Sequence, residues 1–401
     1  MPEWPPSNKA RARIDASPSS VVAVDLFCGG GGLTYGLREL GIDVRAGYDI
    51  DRACRYAYEA NNAPAKFYER DVRRITAREI KAHFPPGAVK ALVGCAPCTP
   101  FSALRKGRDT SDESEWSLLG EFARLVRKVE PDLVSMENVP QITKHAVFAD
   151  FRDQLESLQY SVSASVVKCE DYGIPQKRRR LVLLASRLGE IALLPPTHPN
   201  RHRTVAQAIR KLPAIEAGTH ATKDPIHLAA NLEPLNLRRI RLSKPGGTWR
   251  DWPTAQRLHC HKKASGSTYD AAYGRMEWDK PSPPITTKFY NLGSGRFGHP
   301  TQDRAISVRE GAILQTFPRS YKFAPAREKL KITKLGQIIG NAVPPRLGAV
   351  LGASLRRHIA DFRPEIRLPT VGPQWSQYFA GLSRTSRSPE PSRIAQAKTR
   401  A

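Results

Sequence analysis

Val21-Val22-Ala23-Val24-Asp25-Leu26-Phe27-Cys28-Gly29-Gly30-Gly31-Gly32 is an apolar run that breaks into four consecutive glycines. A nearly unbroken run of Val, Ala and Leu reads as a strand buried on both faces. Glycines directly after such a strand make a tight turn whose backbone a ligand can approach closely. Amphipathic patterning over 33–40, closed by Gly41, then reads as a helix. The same alternation continues to about residue 186, with strands expected at 44–48, 91–94, 133–136, 162–167 and 181–185. Helices fall between them, among them 116–129, which Glu130-Pro131 closes. Strands alternating with helices predict an α/β fold, a mostly parallel sheet flanked by helices.

The character changes after Leu194-Pro195-Pro196. Between 195 and 300 the chain is rich in Pro, Gly, His and Arg and loses clear periodicity, and it carries 17 Lys or Arg against 7 Asp or Glu. It reads as a smaller basic domain inserted into the sheet domain. Regular patterning returns at 308–317 and again over 335–359. The expected division is a disordered tail at 1–19, the first part of the main domain at 20–194, the insert at 195–307, segments completing the main domain at 308–362, and a flexible basic tail at 363–401.

Across the whole chain 63 Lys and Arg face 38 Asp and Glu, a net charge of +25 that attracts polyanions and suits a nucleic-acid ligand. No apolar run reaches the roughly eighteen residues of a membrane span, and residues 1–20 are polar and proline-rich without a signal core. The expected location is therefore cytoplasmic, at the nucleoid, with no membrane partner. The six cysteines, Cys28, Cys54, Cys95, Cys98, Cys169 and Cys260, show no disulfide-framework spacing, as suits a reducing compartment.

Chemistry concentrates at strand ends. The run Leu92-Val93-Gly94-Cys95-Ala96-Pro97-Cys98-Thr99-Pro100-Phe101-Ser102 leaves Cys98 in a loop at a strand's carboxyl end, where open α/β sheets bind ligands. A zinc half-site would need a second ligand pair, and His259-Cys260-His261 is distant and compressed. A redox pair would sit ahead of a helix rather than between prolines, so a thiol nucleophile is the leading reading. Asp49, roughly twenty residues after the glycine turn, stands where an acid can accept from ribose hydroxyls, which implies a nucleoside-containing cofactor. The dinucleotide spacing G-x-G-x-x-G is not met, which counts against a nicotinamide oxidoreductase. Glu137 closes the strand Leu133-Val134-Ser135-Met136 at the edge that carries Cys98, where a carboxyl group kept from water can serve as a proton donor. Gln176-Lys177-Arg178-Arg179-Arg180 runs into the next strand, and alternation sends Arg178 and Arg180 to one face, able to clamp a phosphate or a carbonyl oxygen.

These segments, in this order, resemble the C5-cytosine-specific DNA methyltransferases, over nearly the whole span from Val21 to about Ile359. Phe27, Gly29 and Gly31 match the family's cofactor loop, Asp49 its ribose-binding acid and Asp71 the residue near the adenine. Pro97-Cys98 matches the nucleophile motif, Glu137-Asn138-Val139 the glutamate motif and Gln176-x-Arg178-x-Arg180 the paired-arginine motif. Arg309 with Gln315-Thr316-Phe317-Pro318, and Gly340-Asn341-Ala342-Val343-Pro344-Pro345, match the last two. The resemblance implies a Rossmann-like S-adenosylmethionine-dependent methyltransferase domain with an inserted target-recognition domain. It assigns Cys98, Glu137, Arg178 and Arg180 to catalysis. Phe27, Gly29, Gly31, Asp49, Ile50, Asp71, Val72, Pro97, Leu118, Asn341 and Val343 go to S-adenosyl-L-methionine, and no residue to a metal. Two positions depart from the family pattern: Thr99 stands where glutamine is usual, and Arg70 where glycine is usual.

The activity so implied is methyl transfer to carbon 5 of a cytosine turned out of duplex DNA, by a monomer within a restriction-modification or related defence system, with a cognate restriction endonuclease as candidate partner. Cys98 would add to carbon 6, Glu137 donate to N3, and Arg178 or Arg180 hold O2. Arg238, Arg239, Arg241, Lys262 and Lys263 are candidate DNA contacts. Two other functions stay open at this point. A tRNA cytosine-5 methyltransferase on the same fold carries a Cys-Phe-Thr tripeptide, which is absent here. An inactive DNA-binding regulator would have lost a reacting residue, yet all four are present.

Overall fold

The computed structural model describes residues 21–97, 113–262, 269–325, 331–373 and 375–376. The chain divides into Met1–Pro369, which holds every element below, and Thr370–Ala401. Seven strands form one sheet: β1 (Val21–Leu26), β2 (Asp43–Asp49), β3 (Lys66–Glu69), β4 (Val89–Gly94), β5 (Leu133–Asn138), β6 (Ser161–Lys168) and β7 (Arg179–Ser186). Their spatial order is β3-β2-β1-β4-β5-β7-β6. The pairings β1 with β2 and β4, β2 with β3 and β4 with β5 are parallel, whereas β7 runs antiparallel to both β5 and β6. All six strands expected from the sequence are present, most of them lengthened by one or more residues at their ends. The unexpected one is β3, a short edge strand in which only Phe67 is buried.

Helices cover the sheet: α1 (Gly32–Glu39), α2 (Arg55–Asn62), α3 (Ala77–Lys81), α4 (Glu113–Val129) and α5 (Ala146–Ser157). Val24, Leu26, Leu92, Val134 and Met136 form one core with Phe122, Leu125 and Phe151 of α4 and α5. Strand positions of the other parity, Val21, Ala23, Asp25, Val93 and Ser135, are buried as well. Burial on both faces explains why these strands read as continuous apolar runs.

Beyond β7 the chain forms α6 (Val205–Ile209), the hairpin β8 (His220–Ala221) and β9 (Asp224–Leu228), and α7 (Pro234–Leu242). Three further helices follow among the described residues up to 362, α8 (Val308–Leu314), α9 (Ile332–Asn341) and α10 (Pro345–Phe362). None of the described helices is long and apolar enough to cross a membrane.

The longest of these, α10, lies directly on α1. A Cβ at Gly36 would collide with the Pro345 carbonyl and the Ala349 amide, and one at Gly32 with the Val343 carbonyl. The two helices therefore approach at backbone distance. Gly348 of α10 closes on Leu33 and Gly352 on Leu37 and Leu40, and Leu37 and Leu40 are fully buried, each contributing about 1.5–3 kcal/mol.

A second anchor lies at the start of α8. Ser307 and Glu310 form a capping box, with Glu310 N donating to Ser307 Oγ at 3.0 Å and Ser307 N to Glu310 Oε2 at 2.6 Å. The same carboxylate takes both arms of buried Arg304, at 2.6 and 2.8 Å. Burial alone would raise the Glu310 pKa, but Arg304, His299 and the Ser307 amide together hold it below the usual value. His299 accepts the amides of Thr301 and Gln302 at Nδ1, and its Nε2 lies 3.6 Å from Glu310. Burial first, then the charges of Arg304 and Arg275, push its pKa down to about 4 against the opposing pull of Glu310.

Two outcomes follow from these contacts. Gly36→Ala should lose at least about 2 kcal/mol in urea denaturation, because the obstacle is backbone, whereas Gly120→Ala on α4, where a Cβ meets nothing within 4 Å, should be neutral or mildly stabilising. Equal midpoints for the two variants would show that α10 can lift off α1. His299 is protonated near pH 6.5 when unfolded and only near 4 when folded, so its contribution is complete above about 6.5 and falls as pH drops toward 4. Between pH 7 and 5 this removes about 2 kcal/mol, a share of the pH dependence that should vanish in His299→Gln.

Candidate active site

The carboxyl ends of β1, β2, β4 and β5 meet at one edge, around the point where the strand order reverses between β1 and β4. At the end of β1 the chain turns through Phe27 (φ 58°), Gly29 (φ 49°) and Gly31 (φ 85°), left-handed conformations that suit glycine at the latter two. Gly29 N donates to Asp49 Oδ2 and Asp51 N to Asp49 Oδ1, both at 2.8 Å, so one carboxylate at the end of β2 ties down both loops. Burial raises the Asp49 pKa, with the backbone amides of Asp51 and Gly29 acting against it. A Cβ built at Gly29 would meet nothing within 4 Å, so the turn faces open space. Beside it Ile50 is 66% exposed, an unusual place for an isoleucine.

Asp71, just past β3, caps the turn Val72–Arg74 through Arg73 N at 3.0 Å. Its carboxylate also grips the Arg73 guanidinium, with Nη2 to Oδ2 at 2.7 Å, which lowers its pKa. Val72 is buried under this turn. Phe27, Leu118 of α4 and Val139 are partly buried against the α4/α5 core and line the same edge. Val343 faces Gly32, while Asn341 ends α9 with its side chain exposed. The glycine turn is also roofed from far along the chain, since Tyr321 Oη donates to Gly30 O at 2.6 Å.

Glu137 lies in β5, not beyond it, and is 2% exposed. The register explains its neighbours. Glu137 stands opposite Val182 of antiparallel β7, which brings Arg180, two residues earlier on the same face, diagonally against it. Arg180 Nε is 2.8 Å from Glu137 Oε1. On the other side Gly94 pairs with Met136, so Cys95 falls beside Glu137, and its thiol donates to Oε2 at 2.8 Å. Next along, Asn138 Nδ2 donates to Ala96 O at 3.2 Å and holds the segment leading to Pro97. Pro97 is the last described residue there; Cys98 lies outside the described residues, as do 99–112.

Arg178 does not share the position of Arg180. It precedes the strand, is buried, and its Nη1 donates to Ile285 O at 2.9 Å. Gln176 and Gln315, motif members whose role the sequence does not reveal, acquire one in the fold. Gln176 Nε2 donates to Gln315 Oε1 at 2.6 Å and its Oε1 accepts from Ile285 N at 3.1 Å, while Gln315 Nε2 donates to Ala342 O at 2.7 Å. Four segments, around 176, 285, 315 and 342, are thereby joined by two buried amides. Arg309, matched to the same motif as Gln315, makes a two-pronged ion pair with Asp224 of β9 at 2.6 and 3.0 Å.

One expected DNA contact needs correction. Arg239 points inward from α7, donating to Gln256 O at 3.0 Å and lying 5.7 Å from the Tyr273 ring, because it shares the buried side of that helix with Ile240. Arg238 is exposed and Arg241 pairs with Asp303 at 3.2 Å. The Lys262 side chain and Lys263 lie outside the described residues. Among the described residues no three His, Cys, Asp or Glu side chains gather into a metal site.

Residues 21–357 match the family model of C-5 cytosine-specific DNA methylases. The Type II methylase M.HgiDII of Herpetosiphon aurantiacus is 52% identical over 87% of this chain and 98% of its own. The Type II methyltransferase M1.HphI of Haemophilus parahaemolyticus is 30% identical over 84% of this chain and 87% of its own. Among solved structures, a protein provisionally described as a prophage-encoded DNA modification methyltransferase of E. coli superposes with a TM-score of 0.65 at 21% identity, over 84% of this chain and 99% of that one. A match that runs unbroken from β1 into α10 embraces both the sheet and the segments that return to it, and on that ground this chain belongs to the C-5 cytosine-specific DNA methylase family.

Proposed function

We propose that the chain is the modification enzyme of a Type II system, methylating carbon 5 of a cytosine in a specific duplex sequence with S-adenosyl-L-methionine as donor and Cys98 as nucleophile. The observation that carries this reading is Glu137, almost fully buried yet held between the Arg180 guanidinium and the Cys95 thiol at the edge where Pro97 leads into Cys98. A buried carboxyl with two polar neighbours at the ligand-binding edge of a sheet suits a group that works on a ligand.

The residues at the glycine turn fit the cofactor. Open space over Gly29, the Asp49 carboxylate beneath it and exposed Ile50 beside it offer a cradle, an acceptor for ribose hydroxyls and an apolar face for a base. Phe27, Gly31, Asp71, Val72, Pro97, Leu118, Asn341 and Val343 would complete its surroundings. Bound there, S-adenosyl-L-methionine supplies an electrophilic methyl group.

The chain's own groups do the rest. Carbon 5 of cytosine is too weak a nucleophile until the Cys98 thiolate adds to carbon 6, forming an Sγ–C6 bond and pushing electron density into the ring. Glu137 passes a proton to N3 as that density arrives, and Arg180 holds O2, with Arg178 fixing the segment behind it. Once carbon 5 carries the methyl group, water takes the carbon 5 proton, N3 returns its proton to Glu137 and the Sγ–C6 bond breaks, restoring the aromatic ring and the thiolate. A base inside a duplex cannot reach this edge, so it must rotate out at a cost of roughly a few kcal/mol. Residues 195–307, read as a target-recognition domain inserted between 20–194 and 308–362, would offset that cost through phosphate contacts whose strength falls steeply with salt. A cognate endonuclease is the partner this reading brings with it.

Duplex DNA carrying 5-fluorocytosine at the recognised cytosine should trap the protein covalently in the presence of cofactor, seen as a retarded band on a denaturing gel. Cys98→Ser should form no such band while still binding the duplex, and Glu137→Gln should lose roughly 10²–10⁴ in kcat. Substantial methylation by Cys98→Ser, read by bisulfite sequencing of host DNA, would remove the nucleophile assignment.

A further inference from the structure

We propose that Cys95 is a positioning residue for methyl transfer, its thiol fixing the Glu137 carboxyl so that Oε1 is the oxygen presented to the pyrimidine. The inference rests on the reaction proposed above, and it gives a role to the cysteine of the Cys95-x-x-Cys98 pair that the nucleophile assignment leaves unused. The two oxygens of Glu137 are held differently. Oε2 accepts from the Cys95 thiol at 2.8 Å. Oε1 lies 2.8 Å from Arg180 Nε yet makes no hydrogen bond among the described residues, so the guanidinium supplies charge there without an aligned N–H. Glu137 is 2% exposed and cannot turn to water for the missing partner. Its orientation is therefore set by the thiol, and the oxygen without a donor is the one left to meet a ligand.

The backbone around Cys95 is tied on both sides. Its amide donates to Leu26 O at the end of β1, at 3.4 Å, and the next carbonyl, Ala96 O, accepts from Asn138 Nδ2 at 3.2 Å. Gly94, just before it, packs so closely that a Cβ there would stand 2.7 Å from the Leu26 carbonyl. The thiol thus projects from a fixed point where the ends of β1, β4 and β5 meet, and it holds Glu137 in place before a base arrives.

A thiol suits a carboxyl that must exist in two states. The proton that moves runs from Glu137 Oε1 to N3, and the thiol keeps its own. While the carboxyl is neutral, the S–H contact at Oε2 is a weak, neutral hydrogen bond. Once the proton has gone, the carboxylate left behind accepts the S–H in a charge-assisted bond, which is the stronger kind. The contact therefore tightens as the proton leaves, and an interaction stronger late in the step than in the bound ground state raises kcat rather than affinity.

The test uses the full chain with Cys95→Ala and Cys95→Ser, each alone and combined with Glu137→Gln, on a duplex carrying the recognised cytosine. Cys95→Ala should lower single-turnover methylation about 10- to 100-fold while binding duplex and cofactor as the wild type does. Cys95→Ser keeps a donor and should lose less than about tenfold. In the Glu137→Gln background the alanine change should cost less than about threefold, because the group it acts through is already altered. Wild-type rates in Cys95→Ala overturn the proposal, and so does an equal loss in both backgrounds, which marks a packing role. A second measurement needs no turnover. The infrared S–H stretching band of Cys95, isolated in each background as the difference from Cys95→Ser, should move to higher frequency in Glu137→Gln, whose neutral amide is the weaker acceptor. An unmoved band overturns the contact, and this measurement decides the matter if Cys95→Ala does not fold. If the wild type neither methylates the duplex nor is trapped by 5-fluorocytosine, the methyl-transfer reading fails and takes the role of Cys95 in it along, while the band still shows whether the thiol holds Glu137.

Discussion

The contact between α1 and α10 governs the rest of the molecule, because it closes the chain's end onto its beginning. With no Cβ at Gly32 or Gly36, the carbonyls of Val343 and Pro345 rest against the first turns of the helix that follows the glycine loop. The loop is thereby shaped from above by residues some three hundred positions later, and Tyr321 adds a hydrogen bond to Gly30 from the same distant region. A pocket assembled in this way exists only in the fully folded chain. Such long-range closure loses its loop entropy before the contacts that offset it can form, which favours slow folding with the edge around the glycine turn completed late.

Much of the sheet was legible because burial on both faces writes itself as apolar runs, and β1, β4 and β5 are clear examples. The strand β3 was not, since Lys66-Phe67-Tyr68-Glu69 sits at an edge with one buried side chain and offers no run to read. The site was legible in part. Asp49 and Glu137 stand at strand ends where the sequence suggested them, and ordered motifs identified the family. What one-dimensional reading missed were partners chosen by register and tertiary packing: the Cys95 thiol on Glu137, Gln176 on Gln315 and the inward turn of Arg239.

Region 195–307 resisted reading for a physical reason. Its order comes less from periodic elements than from side chains bonded to backbone carbonyls. Arg275 alone donates to the carbonyls of Ile240, Ser243, His299 and Gln302. Arg239 and Arg304 likewise serve carbonyls of Gln256, Ile215 and Ala305. Each arginine supplies up to five donors, enough to replace a stretch of ladder in an irregular segment. The net charge of +25 therefore overstates the surface available to a polyanion, because part of it is built into the interior.

The antiparallel direction of β7 makes sense of the arginine motif's place. In a parallel strand, residues preceding the strand lie at the amino edge of the sheet, opposite the glycine turn. Gln176 to Arg180 precede or begin β7, so only reversal of that strand brings them to the carboxyl edge of β5. Reversal also fixes which arginine meets Glu137. With Glu137 opposite Val182, the same-face neighbour two positions back is Arg180, while Arg178 falls outside the strand and reaches the Ile285 carbonyl instead. A slip of one residue would turn Arg180 to the other face and leave Glu137 buried without the guanidinium beside it. The buried runs on both strands forbid that slip, so the hydrophobic pattern that builds the sheet also sets which side chains meet Glu137 at its edge.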